Sequence, residues 1–559
     1  MSGAEGTGQT TWNTVSGDGG HQLFFGFRDE TAFISAVERL VADKVASGIA
    51  GRDAGLWGPD AEAEAGKRLA WVDLPSSSRS LVPEITALRE ELNSSGLDHV
   101  VLCGMGGSSL APEVICATHG VELTVLDSSD PDYVRSALAD RLERSIVVVS
   151  SKSGSTVETD SQKRVYEQAL RDAGRDPREH LVIVTDPDSP MDQAAGKDGY
   201  RVFHADPGVG GRYSALTAFG LVPSGLAGAD LDGLLDEAAA IRPALEQDSV
   251  DNPALRLGAL LGVANRHGVD KVVLAENGSG LNGFADWAEQ LIAESTGKQG
   301  KGILPVVVPS PAAPNFTPST HDEVLVTLGA EAYGEAPPTS GWGAAVDAPL
   351  GAALLLWEYA VPVAGRVIGI NPFDQPDVES AKQAARDMLD GGGTSPEPIF
   401  TDGPVAVHAT EGLLDLRDGT AADLRGAVDA LLARLDPEHG YLAVMAYLDR
   451  AADADFATVR RSLARRTGRP TTFGWGPRFL HSTGQYHKGG PPTGVYLQVT
   501  TEPVEDLEIP GRPFTFGGFI QAQAIGDATV LADKGRPVLR LHLTEHDAGL
   551  AAVREVLGG

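Results

Sequence analysis

The chain has 559 residues, 42% of them apolar, so it can bury a large core, and its length alone suggests roughly two to four domains. Its 77 acidic residues against 45 basic ones give a net charge of −32. That field repels nucleic acid and anionic membranes, so any phosphate ligand must find cations and backbone N–H groups gathered locally.

The opening stretch MSGAEGTGQT has neither the basic nor the apolar region of a signal peptide. The two cysteines, Cys103 and Cys116, give no disulfide scaffold or zinc site, and Cys103 sits in an apolar run as a buried thiol. A cytoplasmic protein without nucleic-acid or membrane partners is expected.

After a helical N-terminal arm over 1–95, short apolar β-branched runs alternate with helical patterns. The first series is Val100–Cys103, Leu123–Asp127, Ile146–Ser151 and Leu181–Asp186. Near-continuous hydrophobicity at this spacing predicts buried parallel strands with crossover helices, hence a doubly wound α/β domain over 96–220. A second α/β domain over 221–390 is expected from Lys271–Glu276, Ile303–Val308, VLVTLG and Arg366–Asn371. Between them PLGAALLLWEYAVPV, broken by Glu358 and Pro362, reads as a buried helix rather than a membrane span. A linker at Gly391–Pro398 precedes a C-terminal α/β region, 391–559, with strands at VAVHA, Tyr441–Leu448 and Val495–Thr500. That region either completes the second sheet or forms an appended subdomain.

Five segments carry chemistry. Gly104–Ser109 follows a strand and opens a helix, where glycines let backbone N–H groups approach an anion. It also resembles a dinucleotide loop, with Asp127 placed for a ribose, although Ser109 stands where that pattern wants a third glycine. Ser151, Lys152, Ser153, Gly154, Ser155 and Thr156 form a hydroxyl-rich strand-to-helix turn. Such a turn suits a phosphate, while a simple helix-capping cluster is the plainer alternative. Gly210–Gly211 brings Arg212 forward, a cation suited to a developing oxyanion. Gln290 and Glu294, four residues apart, share a helical face, and a carboxylate there can serve as general base. Gln375 and Lys382, seven apart, can share a face after Pro376 starts a helix.

Taken together and in this order, these motifs resemble the glucose-6-phosphate isomerase family of paired sugar-isomerase (SIS) domains, over about residues 95–390. The resemblance implies two SIS-type parallel-sheet domains and a homodimer. It also implies reversible interconversion of glucose 6-phosphate and fructose 6-phosphate through a cis-enediol, with no metal or organic cofactor. By resemblance, Gly107 and Ser108 lie at the substrate, and Ser151, Lys152, Ser153, Ser155 and Thr156 hold its phosphate. Arg212 stabilises the enediolate, Glu294 moves the proton between C1 and C2, Lys382 assists ring opening, and Gln290 and Gln375 bind.

The family's catalytic histidine is displaced: between Glu294 and Lys382 only His321 occurs. The stretch 476–490 resembles the isomerase part of transaldolase–isomerase fusion proteins, so His487, or alternatively His481, is the expected catalytic histidine. Three other readings stand beside this one: another sugar-phosphate isomerase acting on mannose 6-phosphate, a non-catalytic SIS sensor, and a nicotinamide-dependent dehydrogenase.

Overall fold

A computed structural model of the chain describes residues 13–330, 338–390, 396–414 and 423–558; within them, the side chains of residues 13, 378, 379, 381, 382 and 390 are not described. The described residues are α/β, with three sheets. The first is wholly parallel, in the spatial order Thr124–Leu126, His99–Gly104, Ser145–Ser150, Leu181–Thr185, Arg201–His204. His99–Gly104 and Ser145–Ser150 are buried throughout, as their unbroken apolar character requires for a sheet covered on both faces. Chain order reverses between those two central strands, so their carboxyl ends form a topological switch point. The two loops singled out above, 104–109 and 151–156, leave the sheet there.

The second sheet orders its parallel strands as Leu304–Val308, Lys271–Glu276, Glu323–Leu328, Gly343–Asp347 and ends in an antiparallel hairpin, Gln22–Gly26 with Asn13–Ser16. The N-terminal arm therefore begins as a hairpin before it becomes helical. The cause is a period of two, which buries Leu23 and Phe25 in alternate positions, and a turn in which Gly20 takes φ 71°. The expected strand at Arg366–Asn371 is instead the end of the helix Leu350–Ile368, closed by Gly369 at φ 80°. A short apolar run has no period of its own to separate strand from helix, and the preceding apolar stretch continues through it. Among the described residues this helix alone has the length and hydropathy to cross a membrane, and every residue in it except Arg366 is buried.

Among the described residues, the C-terminal region adds no strand to the second sheet. It builds a third, ordered Thr471–Trp475, Tyr441–Tyr447, Gly494–Thr501, Val538–Leu543, again ending in an antiparallel hairpin, Val405–Ala409 with Phe400–Asp402. Strand order and hairpin repeat the second sheet. The third sheet joins the second through one shared core, in which Val273, Leu304 and Val306 meet Tyr441, Met445 and Tyr496. A buried charge crosses the same boundary. Asp322, wholly inaccessible, pairs with Lys271 at 2.8 Å and with Arg469 at 2.6 Å. Removing its carboxylate leaves buried Lys271 with Asp270 alone, at 2.5 Å, and takes from buried Arg469 its carboxylate partner. Asp322→Ala is expected to destabilise the protein by about 3–5 kcal/mol, measured as a lower urea midpoint of the first unfolding transition.

Candidate active site

A cavity of about 410 Å³ opens at the switch point of the first sheet. One wall is the loop at 151–156. Its Gly154, at φ 66°, lies against Met191 and Ser189, where a Cβ would fall 2.8–3.0 Å from neighbouring atoms. This turn lets the chain enter the helix Val157–Asp172 with its hydroxyls forward. Ser151 and Thr156 hydroxyls lie 3.0 Å apart, and Ser155 Oγ donates to Ser153 Oγ at 3.0 Å. Ser151, Ser153 and Thr156 line the cavity, and Ser155 lines an adjoining chamber of about 290 Å³.

The second wall is the loop at 104–109. Gly107 rests directly on Gly211: a Cβ at 107 would stand 2.0 Å from the Gly211 carbonyl oxygen. Ser214 Oγ donates to the Gly107 carbonyl at 3.2 Å, completing the contact. Close approach of two glycine segments thus carries Arg212 up to the helix Phe284–Thr296. The Arg212 guanidinium is 4% exposed, and its bonds reach several segments. It donates to Ser295 Oγ (2.9 Å), Gln375 Oε1 (2.9 Å), Glu294 Oε2 (3.4 Å) and the carbonyls of Pro372 (2.7 Å) and Asp374 (3.2 Å). Arg212 therefore lies behind the cavity surface, which Glu294 and Gln375 form. Gln290 and Glu294 do share one helical face, 3.4 Å apart. Beneath them buried Lys298 donates to Asp374 Oδ1 at 2.7 Å; burial and then the Arg212 charge push its ammonium down to about 8.

The structure brings His481, not His487, to the cavity. The His487 ring is wholly enclosed, with Tyr441, Phe479 and Tyr496 around it and no hydrogen-bond partner on either ring nitrogen. Burial pushes its imidazole down to about 3. His481 lines both chambers and stands 2.9 Å from Glu158 Oε1. Its turn is anchored by Arg478, which pairs with buried Asp127 (2.6 Å) and with Glu113 (2.5 Å). Asp127 is thereby committed to an internal ion pair, which removes the residue that a dinucleotide ribose would need. His321 is exposed and packs on His439. Gln375 precedes the helix Val378–Asp390, so it and Lys382 do not share a helical face. The Lys382 side chain lies outside the described residues.

Lys152 does not stand as an open cation. It is bound by Asp186 at 2.6 Å; burial lowers its ammonium and raises the Asp186 carboxyl, each against the pull of its partner. Arg68 also lines the cavity and is paired in turn with Glu64 at 2.7 Å. Sequence reasoning missed Arg68, which no motif marks, and Asp186, although it ends a predicted strand.

The phosphoglucose isomerase family model matches residues 88–303. Over 352 residues the chain is 31% identical to a probable glucose-6-phosphate isomerase of Natronomonas pharaonis, covering 55% of this chain and 82% of that protein. The chain belongs to the phosphoglucose isomerase family. A glucose-6-phosphate isomerase of Thermus thermophilus is 34% identical over 256 residues, 44% of this chain and 60% of that one. Among solved structures, a hypothetical protein of Thermus thermophilus superposes with a TM-score of 0.56 at 26% identity, over 66% of this chain and 99% of that one. A glucose-6-phosphate isomerase of Chlamydia trachomatis has the same fold, with a TM-score of 0.54 at 21% identity over 69% and 91% of the two chains. The family match ends before the third sheet, which supplies His481.

Gly107→Ala should force the two glycine segments apart, an overpacking cost of about 1–3 kcal/mol. A lower unfolding temperature by calorimetry is expected; an unchanged one would mean that the backbone contact with Gly211 does not hold the site together.

Proposed function

We propose that this cavity interconverts glucose 6-phosphate and fructose 6-phosphate through a cis-enediol intermediate. The observation that carries the reading is one chamber in which a hydroxyl-lined anion loop faces a buried carboxylate, Glu294, backed by an arginine. Aldose–ketose exchange needs these parts: an anchor remote from the reacting carbons, one base and one cationic stabiliser. In this reading Ser151, Ser153, Ser155 and Thr156 take the phosphate at the start of the helix Val157–Asp172, where helix-end N–H groups favour an anion. Lys152 and Arg68 stand at the same cavity, and an incoming phosphate would share them with their counter-ions Asp186 and Glu64.

Glu294 takes the proton from one carbon and returns it to the other, while the Arg212 charge behind it favours the enediolate electrostatically, through the cavity wall that Glu294 and Gln375 form. Gln290 and Gln375 orient the sugar, and Gly107 and Ser108 close the floor. His481, held by Glu158, is the group that donates to and accepts from the ring oxygen as the pyranose opens and closes, with Lys382 assisting. A sensor needs the anchor but no base, so the Glu294–Arg212 pair favours an enzyme. The homodimer that the family resemblance implies is kept as part of this proposal.

Glu294→Gln should lower kcat by about 10²–10⁴-fold with KM nearly unchanged, in a coupled assay of fructose 6-phosphate conversion. Activity equal to wild type would overturn the assignment of the base. His481→Ala should slow turnover of the ring-closed sugar, whereas His487→Ala should act only through stability. The reverse pattern would return the catalytic role to His487.

A further inference from the structure

We infer that Gln523, on the C-terminal helix Phe516–Asp533, is a positioning residue for the Glu158–His481 pair, itself set in orientation by Ser129. The inference rests on the assignment of His481 above. Gln523 Nε2 donates to Glu158 Oε1 at 2.8 Å, the same oxygen that His481 Nε2 meets at 2.9 Å. The amide cannot turn round without loss, because Ser129 Oγ donates to Gln523 Oε1 at 2.5 Å, and an oxygen in place of Nε2 would face a carboxylate. Ser129, Glu158 and Gln523 are each less than 7% exposed, so water does not readily substitute for these bonds.

The consequence is electrostatic. A hydrogen bond donated to the carboxylate stabilises its charge, so Glu158 grips the imidazolium less tightly than it would without that donor. Gln523 thereby tunes how readily His481 releases its proton to the ring oxygen, without touching substrate. The relay also spans the fold. Ser129 belongs to the first domain, whereas His481 and Gln523 both come from the third-sheet unit, beyond residues 88–303 of the family match. Other charged groups lining the two chambers with His481 are Arg68, Lys152, Asp186, Glu294 and Arg386, and none is altered by substitution at 523.

The test uses the full-length enzyme carrying Gln523→Glu, which keeps the shape and removes the donor, and Gln523→Leu, which removes the polar group. Two quantities are measured: the pH profile of kcat/KM, and the rate of anomer exchange of glucose 6-phosphate by NMR. Both variants should move the basic limb to higher pH, by about one unit for Gln523→Glu. Anomer exchange should slow roughly tenfold, with KM changed less than about twofold. Ser129→Ala should move both readouts the same way by a smaller amount. Basic limbs and exchange rates matching wild type in both variants would overturn the role of Gln523. A global loss of activity, with KM raised and the limb unmoved, would also overturn it, as a merely structural effect. If His481→Ala leaves anomer exchange intact, the histidine assignment itself falls, an outcome separate from any result at 523.

Discussion

The site depends on a buried guanidinium. Arg212 is all but inaccessible, and a charge so placed persists only if its donors are met. Its partners come from separate stretches of chain: the end of the helix Phe284–Thr296, and the turn from Pro372 to Gln375. Satisfying one cation therefore draws a carboxylate, an amide and two carbonyls into a fixed arrangement. The glycine contact between 107 and 211 then sets that arrangement against the phosphate loop. A side chain at 107, whose Cβ would meet the Gly211 carbonyl, would break the link between the two.

Electrostatics explains why the anchor is built largely of hydroxyls and backbone. In a chain of charge −32 an isolated lysine at the cavity draws a counter-ion from the protein itself, and Lys152 has one in Asp186. Hydroxyl groups and the end of a helix carry no such liability. They present partial charges whose orientation is fixed by the turn at Gly154, while Arg68, the other cation at the cavity, is likewise paired, with Glu64 at 2.7 Å.

The third sheet changes how the site is completed. Its strand order and terminal hairpin repeat those of the second sheet, and the two pack through a common apolar core. In that repeated order the turn bearing His481, between Thr471–Trp475 and Gly494–Thr501, corresponds to the stretch bearing His321, between Leu304–Val308 and Glu323–Leu328. One of these equivalent turns faces solvent; the other is pinned against the elements of the first sheet by the ion pairs of Arg478 with Asp127 and Glu113. The histidine that reaches the cavity thus comes from an equivalent place in a second sheet of the same strand order.

Legible in the residues alone were the central strands, both loops at the switch point, and the shared face of Gln290 and Glu294. These follow from local rules: hydrophobic period, glycine and hydroxyl content at strand ends, and the pitch of a helix. The same rules did not separate the Arg366–Asn371 run from the helix before it, because a few apolar residues fit either period. Nor did they choose between His481 and His487, six residues apart in one glycine-rich segment. Tertiary packing made that choice, through which side chain the Arg478 ion pairs turn toward Glu158 and which one the tyrosines enclose. Arg68, Asp186 and Gln523 reach the site or its supporting bonds from distant segments. No local pattern gives them a role at the site: Asp186 merely ends a predicted strand, and packing between separate elements brings Arg68 and Gln523 there.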